Sequence, residues 1–298
     1  MFRKKNTKRS QRSSLHIKKQ ATPSLYKKRK ATWLQIDAKI LQKFYSLYYI
    51  AAFGVIAWFV YFFVFSDYFK IENIEITRPN NNSNIEIAYS SIWRLKWKNI
   101  FGIDIAELRK NLFENQENLS SAKLTKNFPR TIKIALQSYP ELFQTIIQEK
   151  NYLVLENGSI VPGTNEELPS LDLLFEDFPD FYEYKTVLKW EELARIYELH
   201  DRIRTNFISV DLEKINYFVE AKEAHFVLVS GNTIIFDLVT PPEMQIEKLA
   251  VFHQENQPID TASLIYVDTR VEKRLYYCDT ETEFDCYNNL AFIYWQNR

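Results

Sequence analysis

From Phe44 to Phe65 the chain reads FYSLYYIAAFGVIAWFVYFFVF, 22 residues without a charge. At about 1.5 Å of rise per residue, a helix of this length covers a hydrocarbon core roughly 30 Å thick. The pattern therefore predicts a transmembrane helix. A cleaved signal peptide has an apolar stretch of only ~7 to 15 residues and small residues at the cut, whereas a long polar tail precedes this run and Ser66-Asp67-Tyr68-Phe69 follows it. Tyr45, Tyr48 and Tyr49 near one end and Tyr68 at the other suit the two interfacial belts. Trp33, Ile36, Ile40, Phe44 and Leu47 recur at helical spacing, which starts the helix ahead of the membrane. Packing of a partner helix on that stripe is the alternative to simple continuation of the span.

Beyond the span the periodicity changes repeatedly. FKIENIEITR, residues 69–78, reads as one strand that changes face near Asn73. Ile85, Ala88, Ile92 and Leu95 then fall on one helical face, and GIDIAELRKNLFEN announces a second helix, with Asp104 as N-cap and Ile105, Leu108, Leu112 and Phe113 as its buried stripe. Two strands follow, Leu119 to Asn127 and Thr131 to Gln137; in the second, Ile132, Ile134 and Leu136 alternate with Thr131, Lys133 and Ala135. Pro129 cannot donate to a ladder, so it marks the elbow between them. The order β-α-α-β-β predicts an α+β unit with two helices on one face of a three-stranded sheet.

From Leu142 onward strands dominate. FQTIIQ, NYLVLE and SIVPG read as short strands, with Gly158 free to adopt positive φ in the turn between the last two. LPSLDLLFEDFPDF reads as a proline-punctuated connection. YKTVLKWEELARIYELHDRIRT is a helix with Leu188, Leu193, Ile196, Tyr197 and Ile203 roughly on one side, and PPEMQIEKLAVFHQE is another. FISVDL and the arms around a Ser-Gly-Asn turn at 230–232 read as strands. SLIYVDTRVEKRLYY reads as one long strand, with Ile265, Val267, Val271, Leu275 and Tyr277 on one face and Tyr266, Asp268, Arg270, Glu272, Arg274 and Tyr276 on the other. The expected divisions are a tail at 1–43, the span at 44–65, the α+β unit at 66–140, and a mostly β domain with flanking helices and a C-terminal hairpin at 141–298.

Charge sharpens the topology. The formal net charge is zero, yet 14 of the 38 basic residues and one of the 38 acids precede Phe44, leaving 24 basic against 37 acidic residues after Lys43. By the positive-inside rule this excess places the N-terminus in the cytoplasm and the part after the span outside. The basic tail reads as a topology determinant that rests on anionic lipid; nucleic acid is the weaker alternative, because no aromatic residue is interleaved with the charge until Tyr26 and Trp33.

Catalytic chemistry finds little support. His200, His225 and His253 are scattered, five glycines leave few places for a phosphate loop, and neither HExxH nor GxSxG occurs. No cofactor, metal or small-molecule substrate is expected. The acids of CDTETEFDC, residues 278–286, lack the glycine of an EF-hand loop. The only two cysteines, Cys278 and Cys286, bound that segment; in an oxidising outer compartment a hairpin with arms Arg274–Cys278 and Cys286–Trp295 brings them within bonding range, so a disulfide is expected, with free thiols the alternative. Asp268 and Arg270 read as a structural ion pair rather than a reactive one.

Taken in order, FKIENIEIT, NIFGIDIAELRKNL, SSAKLTKNFPRTIKIALQSYPELF and SLIYVDTR resemble segments of the bacterial cell-division family FtsQ/DivIB, single-pass proteins with an outer POTRA domain followed by a β domain. Gln137, Ser138 and Tyr139 stand where that family commonly has a Glu-Arg pair, and Thr269 replaces its usual leucine. The resemblance implies a non-enzymatic divisome scaffold at the septum, a POTRA domain tied to recruitment, and a β domain that binds FtsB- and FtsL-like proteins by strand addition after Asp268. The residues it nominates for partner binding are Arg270, Val271, Lys273, Arg274, Leu275, Tyr276, Tyr277 and, on a further strand at Leu290–Trp295, Ile293. Lys273 and Arg274 read equally well as charges that blunt unwanted edge pairing and as receptors for acidic partner residues. The last strand either masks the binding edge or replaces it. The alternatives are another POTRA-bearing membrane protein for secretion or envelope assembly and, more distantly, an envelope enzyme.

Overall fold

A computed structural model describes residues 38–280, apart from 81, 177–178 and 256–257, together with Asn288. Residues 1–37 of the basic tail, Trp33 and Ile36 among them, and the expected last strand, Leu290–Trp295, lie outside the described residues. The chain divides into two units between Trp58 and Phe59, within the first helix, α1 (Ala38–Phe65). That helix begins ahead of the charge-free run, and no residue from Phe44 to Phe65 is buried. Its large apolar side chains are what a hydrocarbon solvent accommodates.

Beyond the span, β1 (Asn73–Thr77), α2 (Ile85–Ile92), α3 (Ile105–Asn115), β2 (Leu119–Asn127) and β3 (Thr131–Ser138) build the expected α+β unit. Its sheet runs β1-β3-β2, with β3 parallel to β1 and antiparallel to β2. Period-two alternation is realised in β3, where Ile132, Ile134 and Leu136 are buried between exposed Lys133, Ala135 and Gln137. They pack against Ala88 and Ile92 of α2 and Leu108 and Leu112 of α3. Both helices begin on side-chain caps: Asn84 Oδ1 accepts from the Glu86 and Ile87 amides at 2.8 and 3.1 Å, and Asp104 Oδ1 from those of Ala106 and Glu107. Buried Gln116 joins the end of α3 to the start of α2, donating to the Asn84 carbonyl at 2.9 Å and accepting from its amide at 2.8 Å. The first strand is shorter than its alternation suggested. Residues 67–69 form a 3-10 turn and Lys70 makes only an isolated bridge to Asn99, so the pairing with β3 starts at Asn73.

The second part opens with a meander, β4 (Glu141–Ile147), β5 (Lys150–Leu155) and β6 (Ile160–Pro162). It continues as β7 (Leu171–Leu174), α4 (Trp190–Asn206), β8 (Leu212–Phe218), β9 (Glu223–Leu228), β10 (Thr233–Asp237), α5 (Pro242–Glu255), β11 (Leu264–Asp268) and β12 (Tyr276–Asp279). These strands form one sheet in the order β12-β11-β10-β9-β8-β7. Two pairs are parallel, β7 with β8 and β10 with β11, and α4 and α5 are the crossovers that parallel pairing requires. Ile196 and Leu199 of α4 and Ile246 and Leu249 of α5 share a core with Tyr217, Phe226, Phe236 and Val267 from the strands.

Four expectations change here. Leu171–Leu174 inside the proline-punctuated segment is a strand, half-buried beside β8. FISVDL is not a strand up to Leu212: Phe207 and Val210 drop into the core as α4 unwinds, the Val210 amide donating to the Phe207 carbonyl. Tyr197 is largely exposed, and Leu199 occupies the buried stripe instead. The long strand from Ser263 to Tyr277 is a hairpin, β11 and β12 running antiparallel with Asp268 opposite Tyr276. Its alternating faces beyond Asp268 therefore do not exist.

Gly158 closes the β5–β6 turn at φ +83, and a Cβ there would lie 1.9 Å from the Leu188 carbonyl oxygen. Since the Val187 and Leu188 amides both donate to the Gly158 carbonyl, the neighbouring backbone cannot retreat without losing these bonds. Gly158→Ala is expected to destabilise the outer part by roughly 3 kcal/mol, read as a shift in the urea midpoint of the purified chain in detergent.

Candidate functional site

The exposed end of the six-stranded sheet is built by the turn that follows β11. Thr269 is buried, its amide donating to the Ile235 carbonyl at 3.0 Å and its hydroxyl lying 2.9 Å from that carbonyl and 3.0 Å from Gln245 Oε1 of α5. The Arg270 amide turns away from the ladder to the Asp268 carboxylate at 3.0 Å, an Asx turn that ends the strand. Lys273 adopts φ +59 and reverses the chain into β12. From α5, the Lys248 ammonium donates to the carbonyls of Thr269 and Val271, tethering the turn from the side. Burial lowers its pKa, though nearby Asp237, Asp268 and Glu272 oppose that shift.

Beneath the turn lies a charge cluster. Arg270 grips Asp268 with two prongs, Nε to Oδ1 at 2.9 Å and Nη2 to Oδ2 at 2.7 Å, and reaches Glu223 of β9 through Nη1 at 2.5 Å. The expected Asp268–Arg270 ion pair is thus present, with a second acid added. The bond to Asp268 raises the guanidinium pKa further, and the bond to Glu223 adds to it against the opposing effect of burial. Burial pushes the Glu223 carboxyl up, but bonds from His225 and Arg270, with the arginine's charge, outweigh it and hold the carboxyl below its usual range. His225 is completely buried against the Phe218 ring, and burial lowers its pKa against the opposing bond to Glu223. The cluster is structural in character: nothing in it faces a pocket with a nucleophile.

Beside the turn runs a groove of about 500 Å³ between α5 and the start of β12, lined by Met244, Lys248, Val251 and Phe252 on one side and by Arg274, Leu275 and Tyr277 on the other. Met244 and Val251 are about half exposed, as are Tyr276 and Tyr277. Tyr277 leans on Phe252 with ring centroids 5.2 Å apart. The structure thus gathers Leu275, Tyr276 and Tyr277 with Val271, Lys273 and Arg274 at one end of the sheet, but Arg270 faces inward to its acids. Ile293 lies outside the described residues. Met244, Val251 and Lys248 were not among the residues nominated from sequence; Met244 and Val251, seven apart and off the buried stripe of Ile246, Leu249 and Phe252, were the available signal.

The β-α-α-β-β order and the β1-β3-β2 sheet now have a counterpart among known proteins. A family model described as POTRA domain, FtsQ-type, matches residues 69–139. This stretch is similar to an FtsQ-type POTRA domain. The match supports the FtsQ/DivIB family, and with the apolar α1 it fits a single-pass membrane protein with a role in cell division at the division site. FtsQ-type POTRA proteins are non-catalytic scaffolds. No curated protein matches the chain. The POTRA domain is joined to the sheet-rich domain through Glu117, whose amide donates to the Tyr184 carbonyl and whose carboxylate accepts from the Thr186 amide and from Lys185.

Cys278 is buried on β12 and disulfide-bonded; Cys286, the partner expected from sequence, lies outside the described residues. Pairing of Cys278 with Cys286 predicts a chain that takes up no alkylating reagent until reduced and then gains two labels, read by intact mass; two labels without reduction contradict it. Replacing Arg270 leaves Asp268 and Glu223 facing each other with little solvent. Arg270→Met is expected to cost about 2 kcal/mol, and Arg270→Lys to recover only part of it, since an ammonium cannot reproduce the two-pronged grip. Chemical denaturation of both variants checks this.

Proposed function

We propose that the chain is a division scaffold, inserted with its basic tail in the cytoplasm and its POTRA and β domains outside, which recruits and links small FtsB- and FtsL-like membrane proteins at the septum. The partner adds a strand at the end of the sheet after Asp268 and lays apolar side chains into the groove between α5 and β12. The observation that carries this reading is the conjunction at one place of a terminal strand and an apolar groove: β12 ends the order of the six-stranded sheet among the described residues, and half-exposed Tyr276 and Tyr277 stand beside Met244 and Val251.

Main-chain bonds supply affinity in such a mode and alternate side chains supply specificity. Cys278 and Asp279 carry interactions of their own, so the contact is assigned to Tyr276, Tyr277, the turn before them and the groove. Exposed Arg274, whose guanidinium lies 3.5 Å from the Tyr276 hydroxyl, and Lys273, which is 3.9 Å from Glu272, are placed to meet acidic partner side chains. Arg270 contributes by holding the turn.

A photo-crosslinker in place of Lys273 is expected to label a small coiled-coil membrane protein in dividing cells, and Met244→Asp together with Val251→Asp to reduce that label at least tenfold, because both positions are surface sites where a new charge disturbs folding little. Labelling from Ile293 alone moves the binding edge to the last strand. Absence of label from both positions, or normal septation after depletion of the chain, overturns the proposal.

A further inference from the structure

We propose that Tyr68, Phe101 and Phe128 form an aromatic rim that beds the POTRA domain into the headgroup layer of the bilayer from which the chain emerges. The inference depends on α1 being embedded in a membrane, and on nothing about the partner.

Three segments far apart in sequence converge on this rim. Tyr68 lies in the turn after the span, Phe101 in the 3-10 turn Ile100–Gly102, and Phe128 at the elbow between β2 and β3. Their rings are 51%, 47% and 54% exposed, which a folded soluble surface gives up only at some cost. They are nevertheless in contact with the helix end: Phe63 stacks on buried Phe69 at 5.1 Å and meets Phe101 edge-on at 5.6 Å, and Phe101 lies 5.1 Å from Phe128. An apolar path therefore runs without interruption from the last turn of the span to the β2–β3 elbow.

Depth follows from the same contacts. The last carbonyls of a helix have no partner within it, and here the Asn99 amide donates to those of Phe63 and Val64 at 2.7 and 2.9 Å. That side chain fixes the turn carrying Phe101 to the helix end. The charge-free run is about as long as the hydrocarbon core is thick, so Phe63, two residues from its end, sits near the boundary with the headgroups. A ring 5.6 Å from Phe63 is within about one helical pitch of that boundary, the depth at which aromatic side chains partition best.

The nearby charges do not point to electrostatic attraction. Lys70 pairs with Asp67 at 2.6 Å and Arg130 with Glu72 at 2.7 Å, while Arg130 also donates to the Tyr68 carbonyl and covers its ring at 5.5 Å. These two cations are matched by acids and Lys126 donates to the Ile103 carbonyl at 2.8 Å, so the rim is assigned to ring insertion and not to charge pairing with anionic headgroups.

Full-length chain carrying p-benzoylphenylalanine in place of Phe101 or Phe128, or of exposed Val229 as a background, is reconstituted in nanodiscs of phosphatidylcholine with or without phosphatidylglycerol and irradiated. Intact mass is expected to show phospholipid adducts at 101 and 128 at least fivefold above 229, equally in both lipid mixtures. Adducts no more frequent than at 229, crosslinks to a second copy of the chain in place of lipid, or labelling confined to the anionic mixture would each overturn the inference.

Discussion

A helix that crosses a membrane delivers its last carbonyls to a place where water is scarce, and the way they are satisfied governs what can follow. Here the Asn99 side chain bonds the carbonyls of Phe63 and Val64, so the chain leaves the span already docked on the POTRA domain. The same device recurs at each later junction. Glu117 accepts the Thr186 amide where the POTRA domain meets the β domain, and Thr269 and Lys248 engage main-chain carbonyls where β11 gives way to β12. The POTRA core and the large core of the sheet share no residue; apolar contact between the two is a small cluster in which Tyr139 packs with Leu153, Leu155 and Val161. Polar side chains bonded to backbone add to the apolar contacts at the joints.

This division of labour suits a scaffold. Two separate cores are held at a set spacing by hydrogen bonds and one small apolar cluster at the joint, without extensive apolar contact between them. The surfaces proposed for interaction are the aromatic rings where the chain leaves the span and the sheet end with its groove, far along the sequence. The charge cluster at Arg270 is occupied with its own acids and serves to shape a turn.

Much of this was legible in the residues. The charge-free run, the alternation of Ile132, Ile134 and Leu136, and the cap at Asp104 leave local signals that tertiary contacts reinforce; the cap at Asn84 was read only as part of a turn. The hairpin at Thr269 was not, because a period of two continues formally through a turn whose residues happen to alternate; what ends the strand is a buried Thr269 and an Asp268 carboxylate taking the Arg270 amide, both invisible to a hydrophobicity pattern. Lys273 adds to the concealment, as a left-handed residue without the usual glycine or asparagine. The strand Leu171–Leu174 hid among prolines because it is a short terminal strand with three of its four residues only half-buried. On α5, the groove residues Met244 and Val251 were overlooked because a helix is first read for the face it buries.

The correction at Thr269 changes what the basic residues after it can do. On a single strand, Arg270 and Arg274 would share a face and offer a partner two equivalent guanidinium groups. In the hairpin they diverge. Arg270 is bound on both sides by carboxylates, and freeing it would expose two half-buried acids to each other, so its charge is already spent within the fold. Arg274 and Lys273 project from the turn with long, solvated side chains, where a pair with an acidic partner costs little desolvation and contributes correspondingly little affinity. Affinity at such an edge therefore has to come from main-chain pairing and from the tyrosines and the groove, leaving the two cations to favour a partner of the right sign and to discourage pairing between copies of the same edge.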